Sequence, residues 1–237
     1  MPTVLPPISE PTAANEKIGG VPILHYFDFG SKGRGEVLRL FFYDAEISFI
    51  DKRYTFQEFP EYQKSIIVPK MNPTGSIPIV ELNDEFLTQS APVLRLFSYR
   101  LDGAYNGTTP ETTYWVDAMA DIVIDFRALF AKAYFAEDKT EFEEHLKKDV
   151  PKYLVVFEKH LKKYGGPFFI GKEITYADFM LWQVIHDDGL LNGNGLDGYP
   201  LMQMHANALM KRPNIKKYFA SDRFRTRHGT VRNCLSA

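Results

Sequence analysis

Hydrophobic positions follow two regimes along the chain. Up to about residue 105, short apolar runs alternate with helical stripes; beyond it, every long segment repeats with helical period. Pro22–Phe29 is apolar and aromatic and stops at Gly30, which reads as a strand. Gly35–Ala45 sets Val37, Leu38, Leu40, Phe41 and Phe42 on the i, i+3, i+4 stripe of an amphipathic helix. Ser48–Tyr54 reads as a second strand. Strand, helix and strand with short links predict a right-handed unit whose strands are parallel. Residues 56–72 are aromatic and irregular, with Pro60 and Pro69 inside and Pro73 just beyond, and predict a short helix and loops. Ile77–Leu82 and Glu85–Thr88 flank Asn83-Asp84, a hairpin turn. Ser90 is expected to cap a helix over Ala91–Leu101, whose first turn tolerates Pro92.

A Gly-, Thr- and Asn-rich stretch then marks a linker over 103–110. Helical period returns in Glu111–Phe135, Thr140–Tyr164, Thr175–Leu191, Pro200–Arg212 and Asn214–Ala220. Thr175 precedes Asp178 by three residues, the spacing of a capping box, and this pair is assigned to folding alone. The expected fold class is α/β followed by all-α. Residues 1–20, with four prolines among small and polar residues, are expected as a flexible arm. Residues 21–102 form the α/β domain and 111–237 the helical one.

Composition narrows the function by exclusion. Lysine plus arginine (28) nearly balance aspartate plus glutamate (30), so there is no footprint for nucleic acid or a lipid surface. The single cysteine, Cys234, excludes an intrachain disulfide framework and a CxxC redox or zinc pair. The opening residues lack a secretory pattern, and no apolar run reaches the roughly 20 residues a bilayer requires. A soluble, cytoplasmic protein is the expectation. No metal is expected: Asp117, Asp121 and Asp125 recur at i, i+4, i+8 on one helix face, which offers only part of a shell. Such a stripe is ordinarily solvated, and Arg127 or Lys132 can soften it.

The first half has the element order of a thioredoxin-like domain without the CxxC of thioredoxins. Several segments agree with this. They are His25-Tyr26-Phe27-Asp28, Gly33-Arg34-Gly35-Glu36 followed by Leu38-Arg39, Asn72-Pro73-Thr74-Gly75-Ser76-Ile77-Pro78, and Thr88-Gln89-Ser90. Together with Thr175-Tyr176-Ala177-Asp178 they resemble the cytosolic glutathione transferases, in the tyrosine-using group of alpha, mu, pi and sigma classes, with sigma nearest. The resemblance spans about residues 21–220.

That resemblance implies an enzyme that uses glutathione as co-substrate, with no cofactor, and joins its thiol to small hydrophobic electrophiles, with peroxidase or isomerase activity as variants. A free thiol has a pKa of about 8.5, so little is thiolate at neutral pH. A phenol can donate an O–H···S bond that favours the charged form. The family frame gives that role to Tyr26, with the Arg34 cation at the start of the following helix as its support. Most of the 13 tyrosines must be packing residues, so the frame carries this assignment. The connection from Phe29 to Gly33 is two residues longer than usual and brings forward Ser31, the second candidate, since other classes use a serine hydroxyl there. Ser76 and Ile77-Pro78 resemble the cis-proline turn that meets the peptide backbone of glutathione. Gln89 and Ser90 resemble the pair that holds its γ-glutamyl carboxylate. Phe59 and Lys64, or Gln63, fall near its glycine end. Asp125 matches an aspartate that reaches the glutathione of a neighbouring subunit, which implies a homodimer. Phe27, Phe29, Phe130 and Tyr134 are candidates for the electrophile pocket; each alone is as readily a core aromatic. A binding or scaffold protein on the same fold is the alternative reading. A thiol–disulfide oxidoreductase is disfavoured by the missing active-site cysteine.

Overall fold

The computed structural model describes residues 1–28 and 32–224. The chain divides into two compact units, Met1–Asp102 with the segment from Arg212 onward, and Gly103–Lys211.

The first unit is built on a five-stranded sheet of β1 (Thr3–Leu5), β2 (Ile23–Phe27), β3 (Ile50–Tyr54), β4 (Ile79–Leu82) and β5 (Glu85–Thr88), in the order β1-β3-β2-β4-β5. β2 and β3 are parallel, with Tyr26 opposite Arg53, and α2 (Gly33–Asp44) connects them. β4 and β5 are antiparallel, with Leu82 opposite Glu85. Asn83 and Asp84 close that hairpin at φ 51° and 62°, the left-handed backbone that a two-residue turn demands. α4 (Ser90–Arg100) completes the thioredoxin-like order.

The pleat sends alternate side chains to opposite faces. Asp51 and Arg53 of β3, like Tyr26 of β2, face α2. His25 and Tyr54 face the other way, bonded Nδ1 to hydroxyl at 2.8 Å. α2 buries Val37, Leu38, Leu40, Phe41 and Phe42. Phe42 packs on Phe49 at 5.0 Å and on Phe97 of α4 at 5.8 Å between ring centroids. Each such side chain contributes about 1.5–3 kcal/mol by leaving water.

Three segments depart from the sequence reading. Residues 1–20, expected as a flexible arm, carry the edge strand β1, antiparallel to β3, and the helix α1 (Ala13–Ile18). Thr12 and Asn15 form a capping box on α1. The buried Asn15 amide accepts from the Ser48 N–H at 2.9 Å and donates to the Ser48 and Gly20 carbonyls at 2.8 and 3.0 Å. Proline-rich composition signals disorder only on average, and a few specific bonds override it here. In place of a short helix and loops over 56–72, α3 (Phe59–Tyr62) runs into a π-helix, Gln63–Met71, whose wider turns hold Pro69. The last helix, α9 (Pro213–Ala220), was expected with the helical domain. It joins the first unit instead: Tyr218 stacks on Tyr43 of α2 at 4.0 Å, and Arg212 forks onto Asp44 at 2.6 and 2.7 Å.

The second unit holds α5 (Pro110–Phe135), α6 (Thr140–Tyr164), α7 (Tyr176–Asp187) and α8 (Pro200–Met210). α7 ends at Asp187 rather than Leu191 and is buried on nearly every side. Its start is closed as the sequence spacing predicts. Asp178 accepts from the Thr175 N–H and hydroxyl, both at 2.7 Å, and also meets the Phe169 N–H at 2.9 Å and His205 Nε2 at 3.1 Å. Arg127, expected to soften the acidic stripe of α5, is buried and donates to Asp187 at 2.6 Å. Among the described residues no helix is long and apolar enough to cross a membrane.

Candidate active site

Tyr26 is the penultimate residue of β2, and its ring lies against the first turn of α2. Only 6% of it is exposed. The approach is possible because residue 35 is glycine: a Cβ there would sit 2.2 Å from Cγ and Cδ1 of the Tyr26 ring. Lys32 is the N-cap of α2, and its side chain makes no capping bond. The phenol fills that role, accepting the Arg34 N–H at 2.9 Å. An oxygen that accepts an amide hydrogen at a helix N-terminus retains its own proton for donation and sits at the positive end of the helix dipole. Both features favour an anion over a neutral group beside the phenol.

Arg34 reaches the phenol through its backbone. Its side chain is exposed. The guanidinium close to the ring belongs to Arg39, with Cζ 5.9 Å from the Tyr26 centroid. Arg39 is fully buried. It forks onto Asp51, Nε to Oδ2 at 2.9 Å and Nη2 to Oδ1 at 3.0 Å, and reaches Glu36 at 3.2 Å. Arg53 meets Asp51 at 2.8 Å and Asp28 at 3.7 Å. The Tyr218 hydroxyl donates to Glu36 at 2.6 Å. Burial alone would raise the Asp51 carboxyl, but Arg39 and Arg53 hold it below the usual carboxylate range. Glu36 is less compensated: burial pushes it up to about 7 despite Arg39 and Tyr218. Arg39 stays protonated because Asp51 and Glu36 outweigh its own desolvation.

Arg39, Glu36 and Gly35 lay within the quoted motif, yet the sequence reading gave them no role. A signal was available. Glu36 and Arg39 stand at i, i+3 inside an apolar stripe, and charges in such a place are buried only when paired.

The Ile77–Pro78 bond is cis, as the family resemblance implies. The turn before it is held by the buried Asn72, whose amide donates to the Ser76 carbonyl at 2.8 Å and hydroxyl at 3.2 Å. Ser76 is exposed, and Ile77 lies two residues ahead of β4. Gln63 donates to the Gly75 carbonyl at 3.0 Å, so it ties the π-helix to this turn, while Lys64 is exposed. Gln89, not Ser90, is the N-cap of α4; Ser90 is its first residue, and no side chain caps the helix. Gln89 holds φ 67°, a conformation that costs a non-glycine residue about 1–3 kcal/mol and collects at ligand sites.

The aromatic candidates sort differently from expectation. Phe27 and Phe59, assigned to separate subsites, form one cluster, 4.7 Å apart, with Phe56 stacked on Phe27 at 4.6 Å. Phe130 is buried in the second unit among Tyr134, Phe142 and His145, at 5.3, 6.3 and 6.4 Å, which makes it a core aromatic. Tyr134 is half-buried in the same cluster. Asp125 is exposed on α5, whereas Asp117 accepts a hydrogen bond from the Tyr176 hydroxyl. Ser31, Phe29 and Cys234 lie outside the described residues. Among the described residues no group of three or more His, Cys, Asp and Glu is placed to hold a metal ion.

The chain is similar to known proteins over most of its length. Residues 124–222 match the family model of the glutathione S-transferase C-terminal domain. The chain is 30% identical over 213 residues to a glutathione S-transferase of Plasmodium falciparum, which covers 84% of this chain and 95% of that protein. It is 29% identical over 200 residues to glutathione S-transferase P 10 of Caenorhabditis elegans, covering 84% and 90%. Among solved structures, the pi-class glutathione S-transferase of Onchocerca volvulus superposes with a TM-score of 0.74 at 26% identity, covering 84% of this chain and 92% of that one.

Proposed function

The chain belongs to the glutathione S-transferase family, close to its pi and sigma members, and from that premise we propose that Tyr26 holds the glutathione sulfur as thiolate. The enzyme joins glutathione's thiol to small-molecule substrates. The observation that supports Tyr26 is the 2.9 Å bond by which the Arg34 amide fixes the phenol oxygen. Held in that way, the hydroxyl donates to sulfur, and the bond favours thiolate over thiol. The thiol proton leaves to water. The sulfur lone pair then forms the C–S bond while the leaving group departs with the electron pair of the bond it breaks.

The rest of the reading places glutathione along the cis-Pro78 turn. The backbone of Ile77 would meet its cysteinyl unit as an added strand does, with Ser76 beside it. Gln89 and Ser90 take the γ-glutamyl carboxylate at the start of α4, where free N–H groups favour an anion. The strained backbone of Gln89 supports that role. Phe59 and Lys64 take the glycine end. Asp125, exposed on α5, binds the glutathione ammonium of a second subunit in a two-fold homodimer. The electrophile is small and apolar, and in the first unit Phe27, at the end of β2 beside Tyr26, is the lining residue. The protein works in the cytoplasm, a reading that its single cysteine supports.

Tyr26→Phe tests the mechanism, since it keeps the ring on Gly35 and removes the hydroxyl alone. Conjugation of chlorodinitrobenzene at neutral pH should fall about 10- to 1000-fold, the equivalent of ~1.4–4 kcal/mol. At alkaline pH, where the thiol ionises unaided, variant and wild type should converge. An undiminished neutral rate removes Tyr26 from the mechanism, and loss of the rate in Ser31→Ala would transfer the role to that serine.

A further inference from the structure

Behind the phenol lies a buried charge cluster that the thiolate mechanism does not by itself require. When Glu36 is ionised, the guanidiniums of Arg39 and Arg53 face three carboxylates, those of Glu36, Asp51 and Asp28. Arg39 is the member that touches both sides. It pairs with Glu36 at 3.2 Å and lies 5.9 Å from the Tyr26 ring centroid. Its fork onto Asp51 is bidentate and independent of Glu36, so the guanidinium stays in place whatever the state of Glu36.

We propose that Glu36 is a positioning residue for the thiolate: ionised, it draws the Arg39 charge to itself, and protonated, it leaves that charge to the Tyr26 phenol and the sulfur beyond. Tyr218 favours the first state through the hydrogen bond it donates to Glu36 at 2.6 Å. A residue of the last described helix thereby reaches the reacting atoms through Glu36 and Arg39. The inference rests on the Tyr26 reading.

The groups facing Glu36 come from every element packed on it. They are Arg39 and Tyr43 of α2, Arg53 of β3 and Tyr218 of α9, with Asp51 of β3 joined to them through Arg39 and Arg223 beside Tyr43. Most are fixed in charge near neutrality. Arg39 is held protonated, Asp51 ionised and Tyr218 neutral, and burial pushes Tyr43 up to about 12. Glu36, pushed to about 7, changes charge in the working range.

The experiment titrates the thiolate absorbance of glutathione bound to the full chain, beside the pH profile of kcat/KM. In Glu36→Gln, neutral at every pH and of the same shape, the apparent pKa of the bound thiol should fall by about half a unit or more. That is a roughly threefold gain in the ratio of thiolate to thiol. Tyr218→Phe removes a donor that favours ionised Glu36, so it should shift the pKa in the same direction and less. A purely structural role would scale kcat/KM at all pH values without moving the titration. An unmoved or raised thiol pKa in Glu36→Gln overturns the inference, and if that variant does not fold, the same result in Tyr218→Phe overturns it. Tyr26→Phe separates the two claims. If it fails to raise the thiol pKa, the Tyr26 reading falls; if it raises it while the Glu36 and Tyr218 variants leave it unmoved, only the present inference falls.

Discussion

Two helix N-termini in this protein solve the same problem in opposite ways. Every helix begins with amides that lack an intrahelical acceptor. α7 satisfies them from within: Thr175 and Asp178 close a reciprocal box, and Asp178, fully buried, also takes the Phe169 N–H and His205. At α2 the N-cap is Lys32, which offers no acceptor, and the Arg34 amide goes to a phenol from a neighbouring strand. The first arrangement uses its polar groups for stability. The second spends part of that stability on orienting a hydroxyl, the usual character of a working site.

The difference can be broken from either end, and the largest effect should come at α7. Asp178→Ala removes one carboxylate and strands the Thr175 and Phe169 amides and His205 in the core. Breaking a buried charged network of this kind costs about 3–5 kcal/mol. Urea unfolding should show that loss, while the apparent pKa of bound glutathione in the remaining folded enzyme stays where it was. A shifted thiol pKa would show that α7 is not purely a folding element.

An intermediate effect is expected at α2. In Gly35→Ala the new methyl would overlap the Tyr26 ring at 2.2 Å, so either ring or helix must move. Overpacking of this sort costs about 1–3 kcal/mol. Unlike Asp178→Ala, it should also raise the thiol pKa and slow conjugation near neutrality, because the phenol loses its alignment with the Arg34 amide. Wild-type kinetics in a destabilised Gly35→Ala would separate the close approach from catalysis.

These two sites also mark what could be read in the sequence. Thr175 and Asp178 declare themselves, because a capping box is local and its spacing is its mechanism. The hairpin over Asn83-Asp84 and the parallel pair β2–β3 were legible for the same reason: short-range patterns determine them. The packing of Tyr26 on Gly35 is not local in that sense. It joins a strand to the following helix, and only the family frame singled out this tyrosine. Asn15 is the starker case. The helix α1 is tied down by its bonds to Ser48 and Gly20, and no composition statistic carries a long-range amide. Ser90 shows the limit of reading caps by residue type: one position decides whether a serine caps a helix or begins it, and Gln89 took the cap. α9 went to the first unit because Tyr218 and Arg212 find Glu36 and Asp44 on α2, pairings that periodicity cannot foresee.

The smallest effect tests the comparison most directly, by giving α2 the kind of cap that α7 has. Lys32 already has the extended N-cap backbone, φ −125° and ψ 155°, in which a serine hydroxyl accepts from the second or third helical amide. The second helical amide is that of Arg34, the donor now held by Tyr26. Lys32→Ser should therefore stabilise the fold by about 0.5–1 kcal/mol, read as a higher urea midpoint with an unchanged slope. It should also cost activity, since the new hydroxyl competes for the amide that orients the phenol. A fall of about two- to fivefold in neutral kcat/KM, vanishing at alkaline pH, corresponds to ~0.4–1 kcal/mol of lost thiolate stabilisation. Gain in stability and loss in rate should appear together, because both come from one hydrogen. If Lys32→Ser stabilises without slowing conjugation, the Arg34 amide is not what prepares the phenol, and the two helix starts differ only in which residue closes them.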